Sequence, residues 1–174
     1  MRTITINSLP STIEDFVALR DKIATTPEGG ATIFLLALKI YVQNEKLGEQ
    51  CFVVAAERQA LQTGDIYKGF QLSNSSLNLI KSQLAQNPKI PDSYIQGATP
   101  ENNYSVSLPY VYSYSENKFS GSEAEGRIKL FVRSYGADSD RPITVVRNNR
   151  GLWKANNWSS VIVGIKKPQI DDDI

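Results

Sequence analysis

Apolar residues recur at helical spacing through the first half of the chain and at strand spacing through the second. Ser11-Thr12-Ile13-Glu14 has the form of a capping box, and Ile13, Phe16, Val17 and Ile23 then share one face of a short helix. Thr26-Pro27-Glu28 is a second start signal: a cap, a proline at the first helical position and an acid in the first turn. The helix it opens is read to about Lys46. It is apolar nearly all round from Ala31 to Val42, which predicts a place at the centre of the fold. A third helix is predicted over Leu47–Leu61, with Cys51, Val54 and Ala55 on one stripe and Thr63-Gly64-Asp65 ending it. Ser73 or Ser75 caps a fourth, with Leu77, Ile80 and Leu84 inward and a stop at Asn87-Pro88.

After Pro91 the period changes to two. Tyr104 to Ser115 reads as one strand, with Tyr104, Val106, Leu108, Tyr110, Tyr112 and Tyr114 on one face. Pro109 cannot donate to a ladder, so that strand is expected at an edge or bulged there. Arg127–Tyr135 is a second strand, with Ile128, Leu130 and Val132 pointing one way. Ile143–Arg147 and Leu152–Asn156 are a third and a fourth, joined by the turn Asn148-Asn149-Arg150-Gly151, whose residues tolerate positive φ. Glu116–Gly126 reads as a polar loop, and periodicity does not decide Trp158–Ile165. The pattern as a whole predicts an α+β fold: about four N-terminal helices packed on a C-terminal antiparallel sheet of about four strands. The expected organisation is one domain over residues 1–170 and a disordered acidic tail over 171–174.

Composition changes this picture mainly by exclusion. There is no histidine and a single cysteine, Cys51. A Ser-His-Asp triad, a Cys-His dyad, a His-bearing zinc site and an intrachain disulfide therefore cannot form within one chain. Net charge is +1, which argues against a globally basic nucleic-acid packer. Ile33–Val42 is about half the length of a bilayer span and carries Lys39, so it reads as a buried helix. With no signal-like run at the N-terminus, the expectation is a cytoplasmic protein that spans no membrane.

Locally the charge is uneven. Nine basic residues lie between Arg127 and Lys167 against two acids, Asp138 and Asp140. Arg127, Lys129, Phe131 and Arg133 share the outward side of one strand, a basic and aromatic face of the kind that neutralises phosphates and stacks bases. Solvated strand faces also carry such residues, and the glycine-aromatic signature of an RNA-recognition sheet is missing. Six of the eight tyrosines fall between Tyr94 and Tyr135. They form either a sticky surface or, the favoured reading, a face packed on the helices with hydroxyls at the rim. Asp138-Ser139-Asp140 lacks the continuation of a calcium loop and reads as a turn. Cys51 on its apolar stripe reads as a structural thiol. Gly29-Gly30 at a helix start carries no phosphate-binding fingerprint.

Three segments resemble an uncharacterised bacterial domain family of unknown function. They are Gly97-Ala98-Thr99-Pro100-Glu101-Asn102-Asn103-Tyr104, Gly136-Ala137-Asp138-Ser139 followed by Arg141-Pro142, and Trp153 with Trp158-Ser159-Ser160. The resemblance covers most of the chain. It implies a fold and no activity, and it directs attention to the loops near 97–104 and 136–142.

The expected function is therefore a non-catalytic binding or interaction role with a protein partner, and no cofactor or metal. Glu101, Asn103, Asp138 and Arg141 are the candidate ligand or partner residues, or equally a hydrogen-bonded latch that holds the fold. An anion or nucleic-acid binder using Arg127, Lys129, Phe131 and Arg133 is the alternative. A carboxylate- or metal-dependent enzyme comes third.

Overall fold

The computed structural model describes residues 1–169, so the acidic stretch Asp171–Asp173 lies outside the described residues. Helix α1, Ile13–Ile23, opens at Thr12, whose Oγ1 accepts from the Asp15 N–H at 3.1 Å. The cap thus sits one residue beyond the expected Ser11, where the extended backbone of Thr12 aims its hydroxyl at the first turn. Helix α2, Pro27–Gln43, starts as its sequence predicts: Thr26 Oγ1 accepts from the Gly29 N–H at 3.1 Å, and Pro27 occupies the first helical position. Every residue from Pro27 to Tyr41 is buried.

The helix boundaries that follow differ from the periodic reading. Asn44 ends α2, donating its N–H to the Ile40 carbonyl, and its Oδ1 accepts from the Leu47 N–H at 3.1 Å to start α3, Glu45–Ala55. One residue closes one helix with its backbone and opens the next with its side chain. The third helix, expected to reach Leu61, stops at Ala55; a 3-10 turn, Arg58–Ala60, follows, and the expected stop Thr63-Gly64-Asp65 lies inside a hairpin, β2 (Leu61–Tyr67) and β3 (Phe70–Leu72), that turns at Lys68 and Gly69 with positive φ. Helix α4, Asn74–Gln86, is capped by Ser73 and buries Leu77, Ile80 and Leu84 as expected.

The main sheet is antiparallel throughout. Its strands are β1 (Arg2–Ile6), β4 (Tyr110–Ser115), β5 (Gly121–Ser122), β6 (Arg127–Val132), β7 (Arg141–Arg147) and β8 (Trp153–Asn157). The order is β1-β4-β6-β7-β8, with β5 also beside β6. The four expected strands are present, and the fold is α+β with four helices. The N-terminal strand β1, pairing Ile4 with Tyr112, is an addition that its five residues did not announce.

The Tyr104–Ser115 strand is shorter than its alternation suggests. Asn103 and Tyr104 have φ of 57° and 53°, which takes the chain out of the extended region, and pairing begins only at Tyr110. Pro109 precedes β4 rather than marking an edge, and β4 lies inside the sheet between β1 and β6. Tyr110, Tyr112 and Tyr114 face the core, as favoured, but their hydroxyls do not reach a rim. Tyr114 is fully buried against Thr32, Oη to Oγ1 2.7 Å, and the Tyr112 hydroxyl meets no protein partner.

Helix α2 lies on the inner face of this sheet, packed on β1, β6, β7 and β8. Gly30 makes this approach possible, and Gly29 lets the start of α2 lie against the end of α1. A Cβ on Gly29 would stand 1.6 Å from the Ile23 carbonyl oxygen, and one on Gly30 would stand 2.6 Å from Trp153. The glycine pair at the helix start therefore serves packing. Phe34 at the centre of α2 stacks on Trp158 at 4.8 Å and on Phe52 at 6.0 Å. Buried apolar area of this kind is the principal driving force for such a fold.

Candidate functional site

A cavity lies where the end of the sheet meets the helices. Strand β8 is closed on its outer side by the chain leaving α3: Ala56 bridges Ala155, and the Glu57 N–H donates to the Ala155 carbonyl at 2.8 Å. The β7–β8 turn is held by Asn148, whose Oδ1 accepts from the Arg150 and Leu152 N–H groups at 2.9 and 3.0 Å. Gly151 supplies the positive φ. This turn projects Arg147 and Arg150 beside Lys154 of β8. Opposite stand Val17 and Arg20 of α1, Val53 and Val54 of α3, and Arg58 in the 3-10 turn Arg58–Ala60. Tyr67, Lys68 and Phe70 of the β2–β3 hairpin complete the wall. Together they enclose a cleft of about 670 Å³.

Its charge is one-sided. Six cationic side chains line it, and Glu57 is the only carboxylate among the lining residues. Glu57 is itself engaged by the Asn156 amide. Arg20 pairs with Asp21 at 2.8 Å. The other five, Arg58, Lys68, Arg147, Arg150 and Lys154, have no carboxylate within 4.0 Å among the described residues. Two guanidinium groups are stacked rather than paired, Arg58 at 4.5 Å over Phe70 and Arg147 at 5.4 Å over Trp153. Stacking on a ring face leaves guanidinium edge donors free for an anion.

Lys154 and Arg20 are the two half-buried cations of the wall, and the other four are exposed. The Lys154 ammonium and Arg20 Nη1 (at 3.4 Å) both donate to the Val54 carbonyl in the last turn of α3. Burial first, then Arg20 and Arg150, push the Lys154 amine down to about 8.

The sequence-derived candidates fall in two places. Arg127 stands opposite Val146, and Val146 opposite Lys154, so the three form one row across the outer sheet face. The Arg127 Nη2 donates to Asn156 Oδ1 at 3.0 Å, which joins the predicted anion face to the cleft. Lys129, Phe131 and Arg133 run away from the cleft along β6. Lys129 and Arg133 are exposed, and the Lys129 amine lies 5.7 Å over the half-buried Phe131 ring.

The loop candidates gather at the opposite end of β7, around the segment 163–169. Arg141 donates to the Val163 and Gly164 carbonyls at 3.0 and 2.6 Å and to the Tyr94 hydroxyl at 3.3 Å. Asp138 pairs with Lys166 at 2.6 Å, and that ammonium holds its carboxyl below the usual range. Tyr104 donates to the Lys166 carbonyl, and the Lys166 N–H donates to Gly136. Asn103 takes a left-handed conformation that closes the 97–104 loop, and Glu101 is exposed beside a cavity of about 330 Å³ with Lys166 and Lys167. Asn102, not singled out by the sequence, is the centre of that loop: it forms a capping box with Thr99 and donates to the Gly97 carbonyl at 2.8 Å.

Sequence reasoning missed most of the cleft. Arg147, Arg150 and Lys154 belong to the basic C-terminal run, but Arg20, Arg58, Lys68 and Phe70 come from the helical half and share no local motif with them. Among the described residues no three Asp, Glu or Cys side chains gather as a metal site requires, and no helix is long and apolar enough to cross a membrane.

A family model described as "Domain of unknown function (DUF6935)" matches residues 8–169, and the chain belongs to that family. The match takes in the cleft and both loops and begins after β1. Comparison with curated proteins and with solved structures gives no match.

Proposed function

We propose that this member of a domain family of unknown function is a non-catalytic binding module that takes an organic anion into the basic cleft. The observation that carries the reading is five cations without a carboxylate partner around one cavity of about 670 Å³. Unpaired like charges repel one another, and an anion relieves that repulsion. The apolar part of the wall, Val17, Val53, Leu61 and Phe70, suits a ligand with an apolar or planar body.

Inorganic triphosphate is the probe, titrated calorimetrically at low and at high salt. Saturable binding is expected, weakened by salt as screening shortens from about 10 Å at 0.1 M to about 3 Å at 1 M. It should be lost in the double variant Arg150→Glu, Lys68→Glu, two exposed positions where the fold tolerates the change. No binding at low salt, or full binding by that variant, refutes the reading.

A single-stranded nucleic acid is the second reading, supported by the row from Arg127 to Lys154 that joins the cleft to the outer sheet face. It requires that Lys129→Glu and Arg133→Glu also weaken binding, which a small anion in the cleft does not. We assign Arg141 and Asp138 to a latch on the segment 163–169, a role supported by the bonds of Arg141 to Val163 and Gly164 and by the pair of Asp138 with Lys166; Asn103 and Glu101 belong to the adjoining loop. The continuous core from α2 to the sheet supports treating the chain as one domain.

A further inference from the structure

The geometry points to Lys154 as a reactive amine that captures an anionic aldehyde or ketone as an imine inside the cleft. The inference rests on the cleft reading above and gives it a substrate class.

The other lysines are either paired or exposed. Lys39, Lys81, Lys89 and Lys166 lie within 4.0 Å of a carboxylate. Lys22, Lys46, Lys68, Lys118, Lys129 and Lys167 are exposed. Lys154 differs from both groups. It is half-buried in the cleft wall and has no carboxylate within 4.0 Å among the described residues. Its amine shares one acceptor, the Val54 carbonyl, with the Arg20 guanidinium. Two cationic groups on one oxygen atom repel, and the lysine is the one that relieves the repulsion by losing a proton.

The charged groups around it are Arg20 and Asp21 from α1, Arg150 from the β7–β8 turn, and Glu57 beyond α3. Asp21 opposes the effect and is itself held by Arg20, while Glu57 is held by Asn156. Burial and the two arginines together bring the amine to about 8. A lysine desolvated next to another cation is an activated nucleophile toward carbonyl carbon. The neutral amine still donates one hydrogen to Val54 and keeps its lone pair.

The reaction needs no redox partner. The Nζ lone pair attacks the carbonyl carbon, forming the C–N bond while the carbonyl oxygen takes up a proton. A proton taken from solvent by the hydroxyl lets the carbinolamine expel water, breaking the C–O bond, and Nζ gives its remaining proton back to solvent as the C=N bond closes. One water leaves for each imine formed. Arg150 and Lys68, at the cleft mouth, hold the anionic group of the same molecule.

The test uses pyridoxal 5′-phosphate as probe, trapped with cyanoborohydride and mapped by peptide mass spectrometry on the full chain. Labelling of Lys154 is expected at least ~10-fold faster than that of Lys118 or Lys129, since each unit of lowered pKa raises the free-amine fraction about tenfold. The rate should climb between pH 7 and 8, fall with inorganic triphosphate, and be slower with pyridoxal, which lacks the phosphate. Lys154→Arg keeps the charge and the bond to Val54. It should abolish labelling at this position while melting within about 2 °C of the native chain, so that the loss is one of the amine and not of the fold. Lys154 labelling no faster than the exposed lysines, alongside normal triphosphate binding, overturns the imine inference alone. Fast labelling of Lys154 that triphosphate does not slow, with pyridoxal as effective as its phosphate, overturns the anion reading and leaves a reactive amine.

Discussion

Replacing Lys39 by Met should destabilise the fold by about 3 kcal/mol, and replacing Lys39 and Asp92 together by Met and Leu should recover most of that loss. Lys39 sits within the otherwise apolar α2. Its amine lies 2.6 Å from Asp92 Oδ1, and the two side chains are only 8% and 12% exposed. The same amine stands 5.1 Å over the Tyr110 ring. Truncating the lysine strands a carboxylate where water barely reaches. Breaking a buried pair in this way costs about 3–5 kcal/mol, because the remaining charge keeps its desolvation penalty. Lys89, 4.0 Å from the other carboxylate oxygen and 39% exposed, takes up part of the charge and places the cost at the lower end. In a chain of this size 1 kcal/mol moves Tm by about 2–4 °C, so the single variant should melt about 6–12 °C lower. Urea unfolding gives the free energy directly, with an unchanged m value showing that the native state kept its compactness. The apolar double variant should come within about 1 kcal/mol of the native chain, since neither charge then needs solvation. A single variant as stable as the native chain, or a double variant that costs the sum of the two singles, would show that the pair is solvated and uncoupled.

Two further outcomes follow from the buried tyrosines. Tyr112→Phe removes a buried hydroxyl with no protein partner and should leave stability unchanged or raise it by about 1 kcal/mol, whereas Tyr114→Phe removes the bond to Thr32 and should cost about 0.5–1.5 kcal/mol. Urea midpoints that shift in the same direction for both would refute the distinction. Burial pushes the Cys51 thiol up to about 12 from 9.0, and it raises the phenols of Tyr94 (to about 12), Tyr112 and Tyr114 from 10.0. A raised native pKa means that the unfolded state releases protons first, so this stability is complete below pH 9 and is lost as pH climbs from 9 toward 12. Circular dichroism and tyrosinate absorbance followed together should change in one step; tyrosinate from these residues with native dichroism would contradict their burial.

Some of the site and most of the helical framework are legible in the sequence, and the reasons differ. Thr26-Pro27-Glu28 and Ser73 announce their helices because a cap is a local hydrogen bond made within one turn. Asn44 is equally local but hides inside a periodic run, since a break that leaves both helices amphipathic does not disturb the period. Alternation also overran at Tyr104, where a left-handed backbone directs the ring to Lys166 instead of into the sheet, and apolar pattern carries no sign of φ. Of the loop residues, Arg141 and Asp138 were visible as turn chemistry, but their partners in 163–169 lie more than 20 positions away.

The sequence alone determines the α+β class, the central place of α2, the inward Tyr110-Tyr112-Tyr114 and Ile128-Leu130-Val132 faces, and the absence of any histidine chemistry. These are matters of composition and of period, and both act over a few residues. Tertiary structure decides that Lys39 meets Asp92, that Gly30 admits Trp153, and that Arg20 and Lys154 converge on one carbonyl. Each of these joins residues 53 to 134 positions apart. Such contacts are fixed by the packing of α2 against the sheet and by the chain after α3 closing the edge of β8. No local pattern encodes them, because the energy that selects them is the burial shared by the whole core.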